Sequence, residues 1–145
     1  MKIASAVIVV TLSMASFGVS AKNTFEDNRR WSFEKDGELT VDTSYDGLDV
    51  GCFKFSPERV NFYVELINEP TVGRLPLSVE QTGGTYTGGG KFHHVNGAKT
   101  LRLTFYPGNR YRVRNETGEA VLGLECDRGT APIAASASAT QRQAR

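Results

Sequence analysis

The sequence predicts an all-β fold: a small antiparallel barrel or sandwich of about eight strands with one disulfide. Three observations carry this. Apolar and polar residues alternate at period two through most of residues 31–124, the pattern of half-buried strands. No stretch keeps a helical period between caps. Turn-forming residues recur between the alternating runs at the short spacing of a sandwich or small barrel.

The elements follow in order. Met1-Lys2 gives a positive start, Ile3 to Leu12 an apolar run too short to anchor in a bilayer, and Val19-Ser20-Ala21 a small-x-small cleavage site. Residues 1–21 are therefore expected to be a signal peptide. The mature chain is expected to be secreted or periplasmic, with no integral membrane segment after cleavage. Residues 22–30 are polar and are expected to stay flexible. Residues 31–128 form the predicted β domain. Residues 129–145, rich in Ala, Ser, Thr and Gln, lack the apolar bulk to order themselves and are expected to form a disordered tail.

Within the domain, Trp31 and Phe33 open the alternation, Asp36-Gly37 turns the chain, and Leu39 and Val41 resume it. Leu48 to Phe55 contains Cys52. Val60, Phe62, Val64 and Leu66 alternate most cleanly. Leu75, Leu77 and Val79 follow, with Pro76 marking an edge or bulge. Phe92 to Val95 is short. Leu101, Leu103 and Phe105 precede Tyr111 and Val113, and Leu122 and Leu124 complete the set.

A three-residue loop, Pro107-Gly108-Asn109, is expected to close a hairpin pairing Phe105 with Tyr111 and Leu103 with Val113. A two-residue loop would turn arginines onto the apolar face, since a one-residue slip inverts every side chain. The predicted hairpin presents Arg102, Arg110, Arg112 and Arg114 on one outer face, beside Tyr106.

Cys52 and Cys126 are the only cysteines. In an exported chain an even count favours pairing, and a loop this long is worth about 4 kcal/mol by chain entropy. Two free buried thiols are the alternative. The chain has 17 Lys plus Arg against 16 Asp plus Glu, and removing Lys2 balances them. That balance argues against a nucleic-acid partner.

Several constellations are candidates for chemistry. The arginine face suits a carboxylate-bearing protein, an anionic glycan or another anionic surface. The leading alternative is a solvated strand face partly paired with Glu116, Glu119 or Glu125. The stretch from Gly83 to Gly90 is not a phosphate-binding loop, because Gly90-Lys91 is followed by Phe92. It is either a mobile binding loop or a connector. His93 and His94 are adjacent on a strand and point to opposite faces, so they cannot share one metal ion. No metal or other cofactor is expected. One histidine with Glu65 or Glu80 and the arginines could serve a small secreted hydrolase or nuclease. Asn115-Glu116-Thr117 matches a glycosylation sequon in an expected surface turn.

Thr82-Gly83-Gly84-Thr85-Tyr86, then Asn96-Gly97, then Thr100-Leu101-Arg102-Leu103 resemble the Ser-Gly-x-x-Tyr, Lys-Gly and strand pattern of the periplasmic and membrane-bound inhibitors of C-type lysozyme. The resemblance covers the region between the two cysteines. It implies a small disulfide-stapled β-barrel that occupies the lysozyme cleft. In that family the motif serine enters the cleft and the motif lysine supports the contact. Here Thr82 keeps the hydroxyl, Asn96 lacks the charge, and an extra segment from Pro107 to Ala120 precedes the last cysteine. The binding residues so implied are Thr82, Gly83, Tyr86 and Asn96. No catalytic set converges, so a non-enzymatic exported binding protein is the leading reading. A small hydrolase and a host- or surface-directed interaction protein are the others.

Overall fold

The computed structural model describes residues 23–26 and 30–131. The predicted signal peptide and all but the first residues of the predicted tail lie outside the described residues. Eleven strands are present among those described: β1 (Thr24–Glu26), β2 (Arg30–Phe33), β3 (Glu38–Asp42), β4 (Leu48–Ser56), β5 (Val60–Leu66), β6 (Leu77–Thr82), β7 (Thr85–Gly89), β8 (Phe92–Ala98), β9 (Thr100–Phe105), β10 (Arg110–Asn115) and β11 (Val121–Gly129). They form two antiparallel sheets. One has six strands in the order β1-β2-β11-β4-β9-β6, the other five in the order β3-β10-β5-β8-β7. The fold is all-β and sandwich-like, as the alternation predicts.

The period-two pattern explains the core. Leu101, Leu103 and Phe105 turn inward from β9, and Phe62, Val64 and Leu66 from β5, all buried. Aromatic rings join the two layers. Phe33 of the six-stranded sheet meets Phe62 of the five-stranded sheet edge-on, with centroids 5.1 Å apart. Each such ring is worth about 1.5–3 kcal/mol of burial, plus a smaller gain from edge-to-face geometry.

Cys52 and Cys126 form the predicted disulfide. They sit directly opposite each other on β4 and β11, so the bond staples two neighbouring strands of one sheet. Gly123 lies against it. A Cβ there would stand 2.5 Å from both sulfur atoms and 3.0 Å from the Trp31 Cβ.

Four expectations are corrected. First, there are more strands than eight: the alternation does not reveal β1 and β7. The glycines and threonines of β7 carry no apolar signal, and all five of its residues are exposed. Second, the segment 22–30, in which no strand is expected, contributes β1. Phe25 of β1 is 5% exposed and packs on Trp31 at 4.8 Å.

Third, the predicted hairpin does not form. β9 pairs with β4 and β6, whereas β10 pairs with β3 and β5. The inward facing of Leu103, Phe105, Tyr111 and Val113 is right, but they line opposite sheets. The 106–109 link crosses between layers, and other segments capture its polar groups. Thr43 Oγ1 donates to the Tyr106 carbonyl (2.6 Å) and accepts the Asn109 N–H (3.2 Å). The buried Tyr111 hydroxyl accepts from the Tyr106 N–H (3.1 Å) and Asn109 Nδ2 (3.0 Å), and donates to the Pro76 carbonyl (2.7 Å). Burial pushes the Tyr111 phenol up to about 12.

Fourth, Asn115 is not on a surface turn. It is 0% exposed. Its Nδ2 donates to the carbonyls of Glu34 (2.9 Å) and Glu119 (2.8 Å), and its Oδ1 accepts the Thr117 N–H (2.9 Å). The sequon is therefore a structural lock inaccessible to a glycosylating enzyme in the folded protein.

Candidate binding surfaces

The arginines divide between two faces. Arg102 stands on the outer face of the six-stranded sheet. Gly51, opposite it on β4, has no side chain, so the guanidinium lies flat across the strand and reaches Asp49 (3.0 Å) and Asp127 (3.1 Å). Burial works against its charge, but the hydrogen bonds and fields of Asp49 and Asp127 prevail and raise its pKa.

Arg110, Arg112 and Arg114 occupy the outer face of the five-stranded sheet. Arg110 faces Asp42 (3.5 Å). Arg112 bonds Glu65 (3.0 Å) and stands 3.8 Å from Glu38. Arg114 bonds Glu116 (3.1 Å) and Glu38 (3.2 Å), and its guanidinium lies 5.0 Å over the Tyr63 ring. The Glu116 hydrogen bond, followed by its field, raises the Arg114 pKa further. Three guanidiniums thus meet four carboxylates on this face. The four-arginine surface expected from the sequence does not exist as one patch, and its larger part is charge-balanced by its own sheet.

The two histidines point to opposite faces, as their adjacency requires. His93 is 2% exposed and faces inward. Its ring nitrogens meet the Tyr86 hydroxyl (Nδ1, 2.7 Å) and the Gly90 carbonyl (Nε2, 3.0 Å), and burial lowers its pKa. His94 faces outward, with Nδ1 3.9 Å from Glu116. Glu65 is engaged by Arg112, and Glu80 lies on the other sheet, opposite Arg102.

Thr82, Gly83 and Asn96 do come together. β6 and β7 belong to different sheets, so Gly83-Gly84 is a corner that carries the chain between them, with φ of 76° and 68°. A Cβ on Gly84 would overlap the Asn96 carbonyl, which makes glycine obligatory there. Thr85 pairs with Asn96, and the Thr82 and Thr100 hydroxyls are 2.8 Å apart. The Thr82 carbonyl accepts the Lys99 N–H (2.8 Å), Gln81 Nε2 donates to the Gly83 carbonyl (2.7 Å), and Gly97 N–H donates to Asn61 Oδ1 (2.7 Å). Tyr86 leans away, its hydroxyl held by His93.

Two cations that the motif reading missed share this corner. Arg59 Nη1 donates to the Gly97 carbonyl (2.9 Å), and the Lys99 side chain packs along Gly83. Lys99 is 3.8 Å from Glu58 across an exposed pair. Arg59 sits in the β4–β5 turn, distant in sequence from the motif, and only the fold brings it close.

No protein-family model, no curated protein and no solved structure matches this chain.

Proposed function

We propose that this is an exported, non-enzymatic binding protein that blocks a lysozyme-type cell-wall hydrolase by seating the Thr82–Asn96 corner in its cleft. One observation carries the reading: the corner is exposed, carries Arg59 and Lys99 against the single carboxylate of Glu58, and is braced by its own hydrogen bonds. Glycosidases of this class flank the scissile bond with two carboxyl groups. An exposed corner bearing Arg59, Lys99 and the Thr82 hydroxyl complements such a cleft. Its fixed geometry lowers the ordering cost of binding. The charge that Asn96 lacks relative to the resembled motif is supplied by these neighbours. The hydrolase reading is less well supported. Its exposed histidine, His94, has Glu116 nearby, but the adjoining arginines are already held by carboxylates.

The test is lysis of a peptidoglycan suspension by C-type lysozyme in the presence of the purified protein. Inhibition at micromolar protein is expected. Replacing Arg59 and Lys99 together by Ser should weaken it at least about tenfold, the loss of two interfacial charges. No inhibition of several lysozyme types at that concentration overturns the reading.

A further inference from the structure

Exposed sheet edges template pairing with other chains, and proteins blunt them with charge, proline, bulges or brevity. Among the described residues the two sheets have four edge strands, and three are blunted. β1 has three residues. β3 carries Glu38 and Asp42, both exposed. β6 begins directly after Pro76 and carries the exposed Glu80. The fourth, β7, reads Thr85-Tyr86-Thr87-Gly88-Gly89. It has no charge and no proline, and it pairs with β8 without a bulge. Among the described residues nothing pairs with its outer edge.

The register fixes which backbone groups that edge offers. Gly89 faces Phe92 across the two-residue Gly90-Lys91 turn, so these two exchange hydrogen bonds. Alternation then commits Thr87 and Thr85 to β8. The N–H and C=O groups of Tyr86 and Gly88 point outward.

We propose that β7 pairs antiparallel with β7 of a second copy of this chain, joining the two five-stranded sheets across a twofold axis centred on Thr87. In that register Tyr86 of each chain stands opposite Gly88 of the other, and Thr85 opposite Gly89. All five residues are paired, and every outward-facing group of Tyr86 and Gly88 finds a partner. The two Thr87 side chains form a close non-hydrogen-bonded pair with no charge to repel. A twofold pairing also closes, leaving no β7 edge for further growth.

Sedimentation equilibrium of the purified protein tests this. A dimer is expected at about 100 µM, weakened at least about tenfold by Thr87→Lys alone and by Thr87→Glu alone, because each puts like charges directly opposite. Mixing the two variants should restore the dimer, which also shows that both remain folded. A wild-type monomer at that concentration overturns the proposal. So does a dimer indifferent to both substitutions, or a mixture that stays monomeric.

Discussion

Replacing Asn115 by Asp changes one atom's chemistry in a buried site without changing its volume. The amide donates two hydrogen bonds, to the carbonyls of Glu34 and Glu119, and accepts one from the Thr117 N–H. The carboxylate keeps the acceptor role and loses both donors. The Glu34 carbonyl keeps the Gly37 N–H (3.0 Å) while the Glu119 carbonyl loses its donor, so the lost hydrogen bonds cost about 1–3 kcal/mol, and burying the charge brings the total to about 4 kcal/mol. Against a total stability of about 5–15 kcal/mol, about 4 kcal/mol is a large fraction. In urea unfolding, with a slope of about 1–3 kcal/mol per molar, the midpoint should fall by about 2 M at pH 7. The deficit should also depend on pH. Burial beside two carbonyls raises the introduced carboxyl's folded pKa above its unfolded value of about 3.9. The folded state then binds more protons, so the variant should recover part of its loss as pH falls from 7 towards 4. A midpoint shift under about 0.5 M, or a deficit that does not shrink on acidification, refutes the lock assigned to Asn115.

Gly123→Ala drives a methyl group into both disulfide sulfurs and should cost about 1–3 kcal/mol, read as a lowered thermal midpoint in oxidised protein. For His93, burial holds the folded pKa below the unfolded value of 6.5, so the unfolded chain takes up the proton first. Its contribution is complete above pH 6.5 and is lost as pH falls through the lowered folded value. The thermal midpoint should therefore drop as the pH falls below about 6.5 by more in the wild type than in His93→Gln.

Much of the fold is legible in the sequence because period-two alternation is a local property. It marks Val60 to Leu66 and Leu101 to Phe105 as strands and identifies their inner faces. The same parity holds information that residue type obscures. Asn115 continues the inward series of Tyr111 and Val113, and His93 that of Val95, so both polar residues are placed in the interior by position. Pairing is not local in this sense. The link from Tyr106 to Asn109 has hairpin chemistry, but its groups are claimed by Thr43 and Tyr111, and the chain changes sheet. That change divides Arg102 from Arg110, Arg112 and Arg114. The candidate corner was half visible: Thr82, Gly83 and Asn96 lie in a recognisable pattern, whereas Arg59 arrives from another turn. The strand β7 was hidden because glycine and threonine give it no hydrophobic contrast.

The place of β11 within its sheet bears on how the molecule is assembled. The last strand among the described residues lies between β2 and β4, in the middle of six. A ribosome releases the chain from its first residue onward, so every partner of β11 is made before β11 itself. Until residues 121–129 emerge, β1 and β2 have no attachment to the rest of their layer, and β4 shows an open flank. Shortening the chain before Val121 would therefore not trim the sandwich but divide one of its two layers. Completion of the layer waits for residues 121–129, and the half made first is the last to be secured.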